Sequence, residues 1–328
     1  AVNKFDLTAF YSNHSVDENI SAGDSLTSET AYISSMQESG FHRTPGELQD
    51  KKAVNIRAIG GHLSWRLTRL KLGLTGYYPR LGNQLYQDSE PYKKYNFEGT
   101  ENFNAGFDYN WLLRKLNFFG EVAYSQSGAI AQLHGLTANP HPSLALSVIY
   151  RNYPKDYQNF YSNAFAEGSN TYNEQGLYAG MRLQFINKWT LTAYFDNFSF
   201  PWLKYRVDAP SSGNESMIRV QKLMGNDILM YISFRQSNRQ INEPAGEQMT
   251  TSLISTRKTN YRFHIEFSIS PSITLKNRFE FTFYKESSAH RGAGYLIYQD
   301  VAWRNKTGKL SLAGRYALFD TDSWDERI

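Results

Sequence analysis

The chain has 328 residues, a formal net charge of +4 and 15% aromatic residues, among them 23 Tyr and 21 Phe. Its mean hydropathy is −0.55, and no run of about 18 apolar residues could cross a bilayer as a helix, which excludes helical membrane proteins. Cysteine is absent, which excludes disulfides, thiolate metal sites and cysteine nucleophiles. The small positive charge is too weak by itself to indicate nucleic acid as a partner.

Alternation of apolar and polar residues predicts strands along most of the chain, because side chains of a strand point to opposite faces in turn. In the first half we predict strands at residues 5–11, 54–65, 70–76, 103–111, 116–124, 129–136 and 144–151. The second strand changes phase at Gly60-Gly61, which predicts a β-bulge. Residues 137–142, TANPHP, are predicted to form a turn.

The second half continues the pattern. We predict strands at residues 177–185, 189–195, 217–223, 228–234, 294–304 and 310–318, with an extended segment at 199–207. The clearest hairpin runs from Lys258 to Lys285 and turns at Ser270-Pro271-Ser272. Its two arms each carry one row of aromatic and aliphatic residues and one row of charged and polar residues, which is typical of a wall between lipid and water.

Long polar connections alternate with short turns. The long loops are predicted at about residues 13–51, 79–100, 152–175, 208–216 and 238–256. This alternation is typical of outer-membrane barrels, with long loops outside and short turns in the periplasm, and argues against a soluble β-sandwich. We therefore predict an all-β fold: a transmembrane antiparallel up-and-down β-barrel of about fifteen strands, formed by residues 1–328 as a single domain in the bacterial outer membrane.

The last predicted strand would end on the long-loop side. A barrel with an even number of strands and periplasmic ends cannot stop there. The expectation is that the chain is a fragment of a larger barrel, or that another segment closes the wall.

Charged residues at the inward positions are predicted to line the lumen. They are Arg57, Lys71, Asp108, Glu121, Arg151, Arg182, Asp196, Arg235, Arg262, Glu266, Lys276, Arg278, Glu280 and Arg315. A lining in which cations outnumber carboxylates would favour anionic solutes. The alternative, which we favour, is a ladder of Arg-carboxylate pairs that braces neighbouring strands.

Other residue types give weaker signals. Trp65, Trp111, Trp189, Trp202, Trp303 and Trp324 lie mostly near strand ends, as in an interfacial aromatic girdle. A stacking platform for single-stranded nucleic acid is a less economical explanation. The histidines show no metal-binding spacing, and only His290, beside Ser287 and Ser288, suits a hydrolase. We predict no enzyme, no metal and no cofactor.

Several stretches resemble the large outer-membrane β-barrels of Bacteroidota that carry an N-terminal helix-hairpin-helix segment. The residues that carry the resemblance are FGEVAYS (119–125), IYRNYP (149–154), NEQGLYAG (173–180), FDNFSFPWLKYRVDAPSSG (195–213) and RYALFDTDSWDERI (315–328). The resemblance implies further strands beyond residue 328. The helix-hairpin-helix motif is absent from this sequence, so a DNA role implied by that motif has no residues to support it.

The predicted function is an outer-membrane channel, transporter or translocation component with a basic lumen. Uptake or binding of DNA or another nucleic acid is the alternative, and an outer-membrane hydrolase is the least favoured. The predicted partners are the lipid bilayer and lipopolysaccharide, with other outer-membrane or periplasmic proteins, or a further segment of the same protein, as additional candidates. Nucleic acid is a possible partner that no motif supports.

Overall fold

Strands dominate the part of the chain that the computed structural model describes, which is residues 4–21, 32–36, 41–86, 90–225, 227–243, 252–286, 291–305 and 307–323. The strands are β1 (Lys4–Val16), β2 (Glu18–Ser21), β3 (Tyr32–Met36), β4 (Val54–Arg66), β5 (Leu70–Leu85), β6 (Gly99–Glu101), β7 (Asn104–Leu113), β8 (Leu116–Ser125), β9 (Ile130–His141), β10 (Leu144–Tyr153), β11 (Glu174–Gln184), β12 (Trp189–Phe200), β13 (Ser211–Met224), β14 (Ile228–Asn242), β15 (Leu253–Ser270), β16 (Ile273–Glu286), β17 (Arg291–Arg304) and β18 (Ser311–Thr321). Fifteen of these described strands have ten or more residues. The only α-helix within the described ranges is α1 (Pro45–Gln49), and no helix there is long and apolar enough to cross a membrane.

The chain divides into two compact units. Unit 1 comprises residues 1–136, 150–175 and 200–205. In it β4 pairs with β1 and β5, and β7 pairs with β5 and β8, all antiparallel. Unit 2 comprises residues 137–149, 176–199 and 206–328. In it each strand from β13 to β17 pairs antiparallel with the next one along the chain. The predicted all-β, antiparallel, up-and-down fold is confirmed.

The register in unit 2 sorts side chains onto two faces, because residues directly opposite in an antiparallel pair share a face. We call one the apolar face; it carries Ile218, Val220, Ile232, Phe234, Tyr261, Phe263, Phe279, Phe281, Phe283, Val301, Trp303, Leu312 and Leu318. The other, the charged face, carries Glu215, Arg219, Tyr231, Arg235, Arg262, His264, Glu266, Lys276, Arg278, Glu280, Tyr298, Asp300 and Arg315. On β16, Phe281 and Phe283 are 46% and 50% exposed, whereas Thr282 between them is fully buried. The apolar side chains therefore point away from the enclosed side of the sheet.

Several strands are longer than the sequence predicts. β5 continues to Leu85, so the predicted loop 79–100 begins too early. β9 runs through TANPHP to His141, and the turn is Pro142-Ser143 instead. β13 begins at Ser211, inside the predicted loop 208–216, and β14 extends to Asn242. Backbone pairing continues beyond the apolar rows because the ladder needs only main-chain groups, and polar side chains do not interrupt it.

One predicted extended segment is less regular than expected, and one predicted loop contains secondary structure. The extended segment predicted at 199–207 is irregular after Phe200, where β12 ends. The predicted loop 13–51 contains β2, β3 and α1. The loop predicted at 152–175 corresponds to the connection between β10, which ends at Tyr153, and β11, which begins at Glu174.

The predicted bulge at Gly60-Gly61 is wrong. β4 pairs with β1 and β5 in an unbroken register through both glycines. The aromatic ring of Phe10 lies over Gly60, where a Cβ atom would come within 2.6 Å of the ring. Gly60 therefore makes room for a side chain, and the strand keeps its phase. As a consequence, Arg57 shares a face with the exposed Ile59 and Leu63 rather than with the polar residues.

Unit 1 contains packed apolar clusters beneath its long connections. One joins Ile33, Val54, Ile56, Leu81 and Leu85, with Phe97 and Phe160 packed against it. A second joins Ala129, Ala131, Tyr153 and Tyr157. The loop 154–173 is tied down by the backbone carbonyl of Gln158, which accepts hydrogen bonds from the side-chain amides of Asn102 and Asn104 at 3.0 and 2.8 Å. This loop therefore belongs to the core of unit 1.

Helix α1 is held by a capping box. The Thr44 hydroxyl accepts a hydrogen bond from the Glu47 backbone N–H, and the Glu47 carboxylate accepts one from the Thr44 N–H, both at 3.2 Å. The same carboxylate also accepts a 2.5 Å hydrogen bond from the Arg43 N–H. These bonds satisfy the free backbone donors at the start of the helix.

The capping box predicts a local pH dependence. Hydrogen bonds from the Arg43 backbone and side chain, and from the Thr44 backbone, lower the pKa of Glu47 below its ordinary value of 4.5. A carboxyl with a lowered folded pKa contributes stability above its unfolded pKa, and this contribution is lost as the pH falls through the folded pKa. We expect the protection factors for amide exchange in residues 43–48 to fall below about pH 4.5. A Glu47→Gln variant should show no such step; an identical step in that variant would contradict the assignment.

Candidate functional site

The charged face of unit 2 is built from ion pairs between neighbouring strands. Arg262 donates Nε and Nη2 to the Glu280 carboxylate on β16, both at 2.7 Å. Arg315 on β18 makes the same two-point contact with Asp300 on β17 at 2.6 and 2.9 Å. Lys276 lies 3.2 Å from Glu266, and Arg235 lies 2.7 Å from Glu215. Opposite charges face each other directly in three of these pairs, which is the brace considered from the sequence.

A row of rings and cations crosses the same face. The Arg219 guanidinium lies 4.7 Å from the centre of the Tyr231 ring, and Tyr231 stacks on His264 at 5.0 Å. Arg278 is directly opposite His264, and its guanidinium lies 5.0 Å from the centre of the Tyr298 ring. The Arg315 guanidinium also lies over the Tyr298 ring. We call Arg219, Tyr231, His264, Arg278 and Tyr298 the cation–ring row. Such stacking holds the side chains in fixed positions.

Three nitrogen atoms in the cation–ring row have no hydrogen-bond acceptor within the described residues. They are Nε of Arg219, Nδ1 of His264 and Nε of Arg278, all buried. Neither arginine makes an ion pair with a described carboxylate. Buried polar groups are usually satisfied, so each of these atoms marks a position where ordered water would supply the missing hydrogen-bond partner.

A cavity of about 640 Å³ opens onto the charged face of unit 2. Its lining includes Arg219, Arg235, Arg239, Lys258 and Arg262, with Glu215 and Glu280 as the carboxylates. Basic side chains outnumber acidic ones in this lining. A low-dielectric wall with an excess of one sign raises the local concentration of ions of the opposite sign.

Unit 1 has a different cavity, of about 520 Å³. It is lined by Phe10, Tyr77 and Tyr161, with His62 and Glu121 among the titratable groups. His62 Nδ1 lies 2.9 Å from the Thr75 hydroxyl and 3.8 Å from the Asp108 carboxylate. Tyr157 and Tyr161 come from the loop 154–173, and burial raises the pKa of both phenols. We call the face of unit 1 that carries Lys71, His62, Asp108 and Glu121 its polar face. The loop therefore lies against this polar face and narrows the space there.

Arg151 and Glu174 form a buried ion pair in unit 1. Arg151 Nε donates to Glu174 Oε1 at 2.6 Å, and both side chains are 0% exposed. The Glu174 carboxylate also accepts hydrogen bonds from the backbone N–H groups of Glu167 and Gly168, both at 2.8 Å. The pair connects the end of β10 and the start of β11 to the loop 154–173, so its role is structural.

The structure places the predicted lumen residues as follows. Arg235, Arg262, Glu266, Lys276, Arg278, Glu280 and Arg315 share the charged face of unit 2, and Lys71, Asp108 and Glu121 share the polar face of unit 1. Arg151 is buried against Glu174, Asp196 is buried on β12, and Arg182 is exposed on β11. Arg57 lies on the opposite face of β4, because the predicted bulge is absent.

Sequence reasoning missed Glu215, Arg219 and Asp300 on the charged face, and it missed Glu174 in the buried ion pair with Arg151. Glu215 and Glu174 fell in predicted loops, because their strands begin six and three residues earlier than predicted. Arg219 and Asp300 lay inside predicted strands, and alternation alone could have found them.

Tryptophans lie at the short-turn ends of four described strands. Trp65, Trp111, Trp189 and Trp303 are within two residues of the end of β4, β7, β12 or β17. Trp65 stacks on Phe5 at 5.6 Å, and Trp111 packs on Phe118 at 5.7 Å. Trp202 differs from the prediction: it packs against Tyr95 in unit 1, with Lys155 over its ring. Trp324 lies outside the described residues.

No catalytic or metal constellation stands out in the described ranges. They contain no group of three His, Asp or Glu side chains that could hold a metal ion. The predicted hydrolase candidate, His290 with Ser287 and Ser288, lies outside the described residues. The hydrolase hypothesis therefore stays without a described site.

Comparison with known proteins gives only distant similarity. No protein-family model matches the chain, and no curated protein matches it. Among solved structures, Pseudomonas aeruginosa OccK5 (OpdH) has a TM-score of 0.46 at 11% identity, covering 82% of this chain and 88% of that one. The outer membrane protein OpdK of P. aeruginosa gives 0.42 at 9%, covering 98% and 94%, and OmpT, an outer membrane protein of Vibrio cholerae, gives 0.44 at 9%, covering 98% and 90%. These values are too low to define a relationship, so the fold rests on the strand pairings themselves.

Proposed function

We propose that the chain forms the wall of an outer-membrane β-barrel channel, with its apolar face in lipid and its charged face lining a path for anionic solutes. The carrying observation is the exposure of the apolar face: Ile232, Phe283 and Leu312 are 62%, 50% and 63% exposed. Contiguous apolar patches of this kind are rare on soluble monomers. A bilayer removes the cost of exposing this face to water, because lipid solvates apolar side chains while pairing between strands satisfies the backbone.

The width of the apolar face fits a bilayer. On β17 it is bounded by Trp303 at one end and by Arg291 at the other, twelve residues apart along the strand. At a rise of roughly 3.3 Å per residue and a tilt of about 45°, this separation corresponds to roughly 28 Å across the membrane. The hydrocarbon core of a bilayer is about 30 Å thick.

The lengths of the connections support the orientation of the strands in a membrane. Every second connection between the long strands has between two and six residues, and the others include 17–53, 154–173, 201–210 and 243–252. Two of these others, 126–129 and 287–290, are short, with four residues each. In bacterial barrels the long connections face outside and the short turns face the periplasm. The tryptophans at the short-turn ends would then lie at the periplasmic interface.

Anion preference follows from the excess of cations on the charged face. Arg219 and Arg278 have no carboxylate partner among the described residues, and their unsatisfied N–H groups face the polar side. We expect the chain reconstituted in planar bilayers to conduct anions in preference to cations in a potassium chloride gradient. The variant Arg219→Gln/Arg278→Gln should shift the reversal potential toward cation permeability.

Arg257→Gln, on the opposite side of the sheet, is the matched control and should leave the reversal potential unchanged. A wild-type channel that prefers cations would contradict the anion path. A chain that stays folded and monodisperse in water without detergent would contradict the membrane location. Similarity to the Bacteroidota barrels, a nucleic-acid partner and assembly with other envelope proteins stay predictions.

A further inference from the structure

A cluster of three cations lies at the edge of the apolar face. Arg257 on β15, Lys285 on β16 and Arg291 on β17 are directly opposite one another in the strand register. All three are exposed and line a surface groove of about 350 Å³ together with Thr259 and Phe283. We call Arg257, Lys285 and Arg291 the basic rim. None of the three makes an ion pair with a described carboxylate.

The basic rim is unfavourable without a counter-ion. Like charges directly opposite each other in a sheet are destabilising, and here the arrangement extends across three neighbouring strands. The charged face of the same strands follows the reverse rule, since Arg262 is opposite Glu280 and Lys276 is opposite Glu266. On the charged face of these strands, cations are therefore opposite carboxylates. At the edge of the apolar face, the three cations are opposite one another.

The position of the basic rim identifies the kind of anion. Phe283 lies two residues before Lys285 on β16, on the same face, and the apolar row continues from there with Phe281. The rim lies at the strand ends that carry the connection 243–252, away from Trp303 and the short turns. By the estimate from β17 it stands roughly 28 Å from the tryptophan level, which is the depth of the opposite headgroup layer.

We propose that the basic rim binds the phosphate groups of a phosphorylated lipid in the outer leaflet of the outer membrane. The proposal rests on the proposed function, because it requires the apolar face to be in lipid. A phosphate carries strong acceptor oxygens that can bridge neighbouring cations, and arginine binds it with two parallel hydrogen bonds. Arg257 keeps most of its guanidinium available, because its one described hydrogen bond runs from Nε to the Asn238 side chain at 3.0 Å.

Unit 1 carries a similar feature with two cations instead of three. Arg57 on β4 and Arg80 on β5 are directly opposite each other and line a surface groove of about 420 Å³. Glu101 lies opposite Arg80 on β6, where its carboxylate accepts a 2.6 Å hydrogen bond from the Tyr78 hydroxyl. The Glu101 carboxylate therefore reduces the repulsion between Arg57 and Arg80. For this reason the basic rim of unit 2 is the site to test.

Titration with lipid A tests the proposal. The folded chain in detergent micelles would be titrated with bisphosphorylated lipid A, with dephosphorylated lipid A and with inorganic phosphate, and binding measured by native mass spectrometry. We expect binding of lipid A to exceed that of the other two probes. The variant Arg257→Gln/Lys285→Gln/Arg291→Gln should lose roughly a hundredfold in affinity.

The control variant Arg69→Gln/Arg114→Gln/Lys309→Gln removes three cations at the short turns and should bind lipid A as the wild type does. Equal affinity of the wild type and the rim variant would overturn the proposal, as would equal binding of inorganic phosphate. Insertion of the wild type into phospholipid vesicles is measured in parallel. A chain that inserts but shows no preference for lipid A defeats this inference alone, whereas a chain that fails to insert defeats the proposed function.

Discussion

Arg151→Met is expected to destabilise the protein by about 3–5 kcal/mol, because it leaves the fully buried Glu174 carboxylate without its cation. Among the described residues, Glu174 would keep the hydrogen bonds from the Glu167 and Gly168 backbone N–H groups. Those bonds hold the loop 154–173, so protease cleavage in the loop should accelerate together with the loss of stability. Urea unfolding in detergent micelles measures the first effect, and limited proteolysis measures the second.

Two variants separate the ion pair from general effects of the substitution. Arg182→Met removes an exposed arginine that makes no ion pair with a described residue, and it should change stability by less than about 0.5 kcal/mol. Arg151→Met/Glu174→Gln removes both charges and should be more stable than Arg151→Met alone, since the unpaired charge causes most of the cost. A single variant as stable as the wild type would show that the pair contributes little to the fold.

Ile232→Arg is expected to cost about 2–4 kcal/mol in lipid vesicles, because Ile232 lies within the apolar row of β14 and an arginine there would enter hydrocarbon. Gln236→Arg lies on the same strand and face, four residues nearer the basic rim. It should cost no more than about 1 kcal/mol, since the penalty falls toward the interface. Urea titration of folding in vesicles measures both values.

This pair of variants also tests whether the sheet faces lipid at all. Ile232 is 62% exposed, so in a water-soluble protein its replacement by arginine would be nearly neutral, as surface substitutions usually are. Equal and small effects at the two positions would therefore contradict the membrane location. A large effect at Ile232 alone would support it.

The predicted fold class depended on a signal that is local in the chain. In β15 and β16 the alternation of Tyr261, Phe263 and Ile265 with Arg262 and His264 survives unchanged in the structure. Period two is a property of the strand backbone itself, so it can be read without knowing the partner strand. The turn at Pro271-Ser272 could also be predicted from the local sequence, since proline disrupts strand pairing.

The ends of strands and the partners of charged residues depend instead on contacts between distant parts of the chain. Arg57 was assigned to the wrong face because two consecutive glycines suggested a bulge, whereas Gly60 accommodates the ring of Phe10 from another strand. Glu174 was not predicted because its partner Arg151 lies 23 residues earlier, and only folding of the intervening loop brings the two together. Contacts between residues that are distant in the chain leave no periodic pattern in the sequence.

Residue type and spacing along one strand are enough to predict the all-β class, the two-faced strands and the excess of cations. Which charges neutralise one another depends instead on the tertiary fold. Register places Arg262 against Glu280, leaves Arg219 and Arg278 among aromatic rings, and aligns Arg257, Lys285 and Arg291 at one edge. Charge pairing depends on which residues are opposite across neighbouring strands, and that relation exists only after the strands have paired.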